Sequence, residues 1–182
     1  MMTTLLLRLV LAQTSIGSGL ADGTRLVYES AGVRQDAWVY DSVRVIERPT
    51  FDRCVRVFRP AGTRESCARG DTLFEPGAGG ELVPVRPLGR GMQLAVTVAS
   101  GNVLHYSTGD ASPRRIGDDV EHTVIRTTIV TRDPNGTVVR RLREDYSPAL
   151  LTAVWGVFEE PDGAGGWTIV REFSLVAVEA AR

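Results

Sequence analysis

The sequence predicts an all-β fold: a single antiparallel meander β-barrel of about 8–10 strands, with a β-sandwich as the alternative. Three observations carry this expectation. Apolar and polar residues alternate with period two along almost the whole chain, the signature of strands. Turn signals recur at short spacing, among them Asp22-Gly23, Pro60-Ala-Gly62 and Asp133-Pro-Asn-Gly136. No segment carries a helical apolar stripe over about ten residues, and only residues 148–153 could form a single helical turn instead of a strand entry.

The elements follow in order. Residues 24–30 read as a first strand after Asp22-Gly23, and residues 37–47, rich in Val, Trp and Tyr, as a second. Residues 53–59 alternate Arg53, Val55 and Val57 against Cys54, Arg56 and Phe58, and residues 65–74 return towards them. Residues 82–86 contain Pro84, which lacks an amide donor, so this short strand belongs at an edge. Residues 93–99 and 103–107 form a hairpin around Ser100-Gly-Asn102, and residues 108–119 read as the longest loop. The last third is four long strands, residues 121–132, 137–146, 150–160 and 167–178. The Asn135-Gly136 pair between the first two is the strongest short hairpin signal. The last two strands are apolar on both faces, so the outer face should be covered as well. A second layer, the N-terminal segment or another subunit could cover it. Phe74-Glu-Pro-Gly-Ala-Gly-Gly80 and Phe158-Glu-Glu-Pro-Asp-Gly-Ala-Gly-Gly166 resemble each other, which reads as reuse of turn residues rather than a duplication.

At 182 residues the chain has the length of one domain. A hydrophobic fraction of 43% and a charged fraction of 24% exclude disorder and a multi-span membrane protein. All 21 basic residues are arginine and none is lysine. Schiff-base chemistry, a lysine general base and a P-loop lysine are therefore excluded. The net charge of -1 and the even spread of arginine argue against nucleic-acid binding.

Residues 1–12 are expected to be a signal remnant or an N-terminal extension, and residues 13–182 a single domain. The apolar run from Leu5 to Ala12 is too short to span a bilayer, and Val10 and Ala12 fit a cleavage site before Gln13. The two cysteines, Cys54 and Cys67, lie in neighbouring strands and suggest one disulfide in an exported chain. The expected location is periplasmic or secreted, with two free thiols in a cytoplasmic protein as the alternative.

Motifs for chemistry are sparse. Gly77-Ala-Gly-Gly80 and Gly163-Ala-Gly-Gly166 precede strands rather than helices, so they are hairpin loops, not phosphate cradles. His105 and His122 are the only histidines, and neither sits in a metal-binding spacing. Asp118-Asp119 likewise makes no case for calcium, so no metal and no cofactor is expected. Asn135-Gly-Thr137 fits a glycosylation sequon but reads as a bare turn. Glu144 and Asp145 are strand neighbours, so they should face opposite ways and share no site.

The remaining leads are arginines and aromatics. Arg126 and Arg171 lie mid-strand between apolar same-face residues, so burial would demand a carboxylate partner or the head group of an anionic ligand. With Tyr106, Trp155, Phe173 and Tyr146 they form the expected ligand-binding set, the aromatics as wall.

In length, β content and hairpin order the chain resembles the lipocalin-type barrels at the level of architecture. The Gly-x-Trp signature of those proteins is missing, the matching place reading Gly23-Thr-Arg-Leu-Val-Tyr28, so no functional residue transfers. The first functional expectation is a non-enzymatic, exported barrel binding a small apolar or amphipathic ligand. The second is a structural or interaction module, such as a homo-oligomer. The third is a barrel enzyme, an isomerase, cyclase or hydrolase, using His105 or His122 with Tyr106 or Tyr146.

Overall fold

The computed structural model describes residues 16–117 and 120–180. The segment 1–12 and the pair Asp118-Asp119 lie outside the described residues. Among those described, thirteen strands and no helix are formed. They are β1 (Arg25–Ser30), β2 (Val33–Val39), β3 (Ser42–Ile46), β4 (Arg53–Arg59), β5 (Gly62–Arg69), β6 (Thr72–Pro76) and β7 (Leu82–Pro87). There follow β8 (Gln93–Thr97), β9 (Val103–Ile116), β10 (Val120–Arg132), β11 (Val138–Ser147), β12 (Thr152–Pro161) and β13 (Trp167–Glu179).

The strands build two antiparallel sheets. The long one has the order β2-β1-β13-β12-β11-β10-β9-β8, the short one β3-β4-β5-β6-β7. Consecutive hairpins thus form a meander through β3–β7 and another through β8–β13, as the turn signals predict, and the β1–β2 hairpin joins the long sheet by pairing β1 with β13. No ladder closing a ring is found among the described residues.

Three expectations about the elements are corrected. The strand expected over residues 37–47 is two, because the chain changes sheets at Tyr40–Asp41. Tyr40 still exchanges backbone bonds with Thr24 and Gly23, whereas the Asp41 amide donates to Phe58 of the short sheet. The strand expected over residues 65–74 is the hairpin β5–β6, turning at Gly70 with φ +55°. The loop expected over residues 108–119 is strand as far as Ile116, because β10 pairs with it along most of its length. Pro113 is tolerated there because β8 pairs only with residues 103–107, leaving its other side free of a ladder.

The sheets pack over Leu26, Val55, Val57, Leu73, Val124, Val154 and Leu175, each buried. The segment 16–20 seals one end. Ile16 is fully buried, its carbonyl accepts from Arg53, and Gly17 and Gly19 donate to Pro148 and Ala149. Gly17 has φ +67°, and a Cβ there would stand 2.9 Å from Val55 Cγ2, so only glycine fits.

Cys54 and Cys67 stand directly opposite in the β4–β5 register and form a disulfide. The bridge lies on the face of the short sheet away from Val55 and Val57, where Ile46, Phe51, Phe74 and Leu82 pack with it.

Candidate functional site

The β12–β13 ladder alternates large and small residues. Gly156 stands opposite Phe173, and Phe158 opposite Arg171. Because position 156 has no side chain, the Phe173 ring lies across it. A Cβ there would come 2.6 Å from two ring carbons and 3.2 Å from Leu142 Cδ1. Phe173 then contacts Phe158 at 5.9 Å and Tyr28 at 6.0 Å between ring centroids. Tyr28 is fixed by its hydroxyl, which donates to the Ala153 carbonyl at 2.7 Å and lies 2.8 Å from Thr152 Oγ1.

Tyr28, Thr152, Ala153, Phe158 and Phe173 line a groove of about 270 Å³, completed by Ser30, Gln35 and Arg171. No residue of the short sheet lines it. Arg171 is exposed, and no ion pair to it is formed among the described residues. The groove therefore pairs an aromatic wall with an unneutralised guanidinium. Burial raises the Tyr28 phenol, so it stays neutral and serves as wall and hydrogen-bonding group.

A second cluster lies between the sheets, beyond Tyr28. Arg86 from β7 is ion-paired to Glu144 from β11, and Arg64 from β5 to Glu75 from β6. Ser66 Oγ adds a bond to Glu75 at 3.1 Å. The Arg86 guanidinium stacks 4.0 Å from the Tyr146 ring centroid and 5.4 Å from that of Tyr106. Burial alone would disfavour the charge on Arg64 and Arg86, but Glu75 and Glu144 outweigh it. Burial pushes the Tyr146 phenol up to about 12, partly offset by Arg86 and Arg64.

The six expected ligand residues are thus divided among three places. Phe173 and Arg171 meet in the groove. Tyr106 and Tyr146 are buried on the inner face of the long sheet. Arg126 and Trp155 lie on its outer face, around Asp145. Arg126 is 74% exposed, 3.7 Å from Asp145 Oδ1, and Trp155 stands opposite Asp145 in the ladder with Arg114 over its ring. Arg126 is therefore not an interior group. The cations between the sheets are Arg86, 15% exposed, and the half-buried Arg64, both of which sequence reasoning missed. A signal existed, since Arg86 is the sole charge in Leu82-Val-Pro-Val-Arg-Pro-Leu88. Glu144 and Asp145 do face opposite ways, the first to Arg86 and the second to Arg114 and Arg126.

The histidines are separated. His105 is exposed on the outer face, whereas His122 is buried with Nε2 unbonded. The contact with an acid or a tyrosine that a catalytic role needs is not made by that nitrogen. Burial lowers the His122 pKa below 6.5. The folded state then binds fewer protons than the unfolded one, so stability falls as pH drops through about 6.5 and levels off below the folded-state pKa. The loss due to Glu65 and Glu159 comes later. Burial opposes ionisation of Glu65, but Arg56 and Arg48 prevail, while Glu159 is lowered first by Arg141. Their stabilisation persists down to about 4.5 and is lost as pH falls through the depressed values. Urea midpoints between pH 7.5 and 5 should therefore slope for the native chain and flatten for His122→Gln. Equal slopes would show that His122 does not set this limb.

No known family model matches the chain, and no curated protein matches it. A crystal structure of a "putative lipoprotein" from Parabacteroides distasonis is similar over 90% of this chain and 99% of that one. The identity is 14% and the TM-score 0.41. Among the described residues, no helix is long and apolar enough to cross a membrane and no group of three metal-binding side chains converges.

Proposed function

We propose that this is an exported, non-enzymatic β protein that holds a small amphipathic anion in the groove between β1, β12 and β13. The observation that carries the reading is Arg171, a cation with no ion pair among the described residues, beside the ring surfaces of Tyr28, Phe158 and Phe173. An apolar wall with one charged group at its rim suits a ligand with an aliphatic or aromatic body and an acidic head. The volume, about 270 Å³, sets the scale of the part enclosed. Export is supported by the Cys54–Cys67 disulfide, which persists in oxidising compartments.

In the same reading the two sheets are walls of one flattened barrel. Tyr40–Asp41 carries the chain across at one side, and β7 approaches β8 and β9 at the other. The interior is filled by apolar side chains and paired arginines, so the ligand belongs in the open groove.

Dansyl-undecanoate, whose emission rises in apolar surroundings, tests the reading. The native chain should bind it, and Arg171→Met should weaken binding roughly tenfold, the worth of one charge-assisted contact. An alcohol analogue of the probe should not distinguish the two proteins. Absence of binding, or equal binding of the acid by both, would discard the groove as an anion site.

A further inference from the structure

The outer face of β9–β12 carries a second feature, independent of the groove. Two carboxylates there are nearly buried, Asp145 at 7% and Glu159 at 5% side-chain exposure. Each is covered by two arginines. Arg114 and Arg126 lie on Asp145, and Arg141 and Arg143 on Glu159, the last at 2.6 and 3.0 Å. The apolar residue between them, Val157, stands opposite Arg143 and is only 2% exposed. Arginine stems thus cover this face, and the charged ends stay in water.

Four guanidiniums therefore lie over two carboxylates. The acids are underneath, so the surplus charge is presented outward. Arg126 and Arg143 are the most open, at 74% and 47%. Arg141 and Arg143 share one face of β11, about 7 Å apart along the strand. Of the neighbouring acids, Asp110 is paired with Arg90 and Glu160 with Arg140, while Glu172, opposite Val157, keeps its charge and accepts from the neutral Trp155 indole at 2.9 Å, so the four arginines exceed the acids of this face by one. Thr128 stands opposite both Arg143 and Ser107. It joins the arginine row to a depression of about 360 Å³ whose polar lining is Gln93, His105, Ser107 and Thr128.

We propose that this face binds an acidic polysaccharide, its carboxylate or sulfate groups on the arginine row and its hydroxyls on the polar depression. Hydroxyl, amide and imidazole groups beside guanidiniums match the mixed chemistry of a charged sugar polymer. A membrane surface would call for exposed apolar side chains within the row, and Val157 is covered. The chain carries -1 overall, which weighs on every polyanion alike, so duplex DNA enters the test as a competitor. That net charge also makes the patch testable, because a polyanion is repelled by the molecule as a whole and attracted only locally.

The experiment measures binding of the full chain to a heparin fragment and to oligogalacturonate at low salt, with duplex DNA and phosphatidylglycerol vesicles in parallel. At least one polysaccharide should bind more tightly than DNA or vesicles, and the affinity should fall steeply with added salt. Arg126→Gln/Arg143→Gln should weaken it at least tenfold. Arg114 and Arg141 remain on the two buried acids in that variant, and its melting curve confirms that it folds. Arg34→Gln/Arg44→Gln, with the same charge change on other surfaces, should bind as the native chain does. No binding to either polysaccharide, equal loss in both double variants, or tighter binding to DNA or vesicles would overturn the proposal.

Discussion

Glu144→Ala should lower the unfolding free energy by about 3–5 kcal/mol, the loss expected when a buried ion pair keeps one partner. The Glu144 side chain is 3% exposed and that of Arg86 15%. With Glu144 gone, Arg86 remains between the Tyr106 and Tyr146 rings without an anion. It must then stay charged in a poor environment or pull water inward. The loss is much larger than the net worth of the pair. Arg86→Met/Glu144→Leu, which removes both charges and keeps the volume, should therefore recover most of it. Urea unfolding of the native chain, the single variant and the double variant measures both quantities. A Glu144→Ala variant within about 1 kcal/mol of native would put the pair in the class of surface salt bridges, such as Arg34–Glu29 at 73% and 39% exposure.

Removal of the disulfide should cost about 3 kcal/mol in the chain-entropy model, for a loop closed over a separation of 13 residues. Cys54 and Cys67 are 1% and 0% exposed and pack with Phe51 and Phe74, themselves 5.3 Å apart between centroids. Cys54→Ala/Cys67→Ala keeps most of that packing, so the loss should reflect the missing cross-link. The unfolding midpoint of the native chain should fall to that of the variant when reductant is added, while the variant ignores reductant. Insensitivity of the native chain would mean that the bridge contributes nothing to stability.

Much of the fold was legible because its signals are local. The Asn135-Gly136 turn is pinned as its residues imply, with Asp133 Oδ1 accepting from the Asn135 and Thr137 amides. The cysteines face each other because residues 53–59 and the returning strand are joined by one tight turn. The sheet change at Tyr40–Asp41 was not legible. β-propensity runs on through Val39, Tyr40 and Val43, and only distant partners decide which sheet each half joins.

The candidate site was half legible for a related reason. Inward and outward parity can be read from alternation only if a strand has no bulge. Register shifts occur at Phe158/Glu159, Asp145/Tyr146 and Ile125/Thr127. The shift in the β12–β13 ladder pairs Phe158 with Arg171 and Glu159 with Ile169. Ile169 and Val170 are then both exposed, at 57% and 50%, so simple alternation misassigns that stretch. Arg171 and Phe173 share a face because both lie beyond the shift. Trp155 lies on the opposite face, beside Asp145 of β11. The apolar neighbours of Arg126 suggest enclosure, whereas its side chain snorkels above Asp145.

The pairing of β1 with β13, Arg25 beside Glu179 and Glu29 beside Ser174, has a consequence for the order of assembly. A chain emerges from the ribosome, or from an export channel, with its N-terminus first. The short sheet is a continuous meander, so each of its ladders can form as soon as the next strand appears. The β1–β2 hairpin must wait for the last strand made before it gains its neighbour in the long sheet. Until then one edge of β1 stays open, with its apolar face uncovered. That interval is the window in which a holding chaperone, or a second unfinished copy, would find its template.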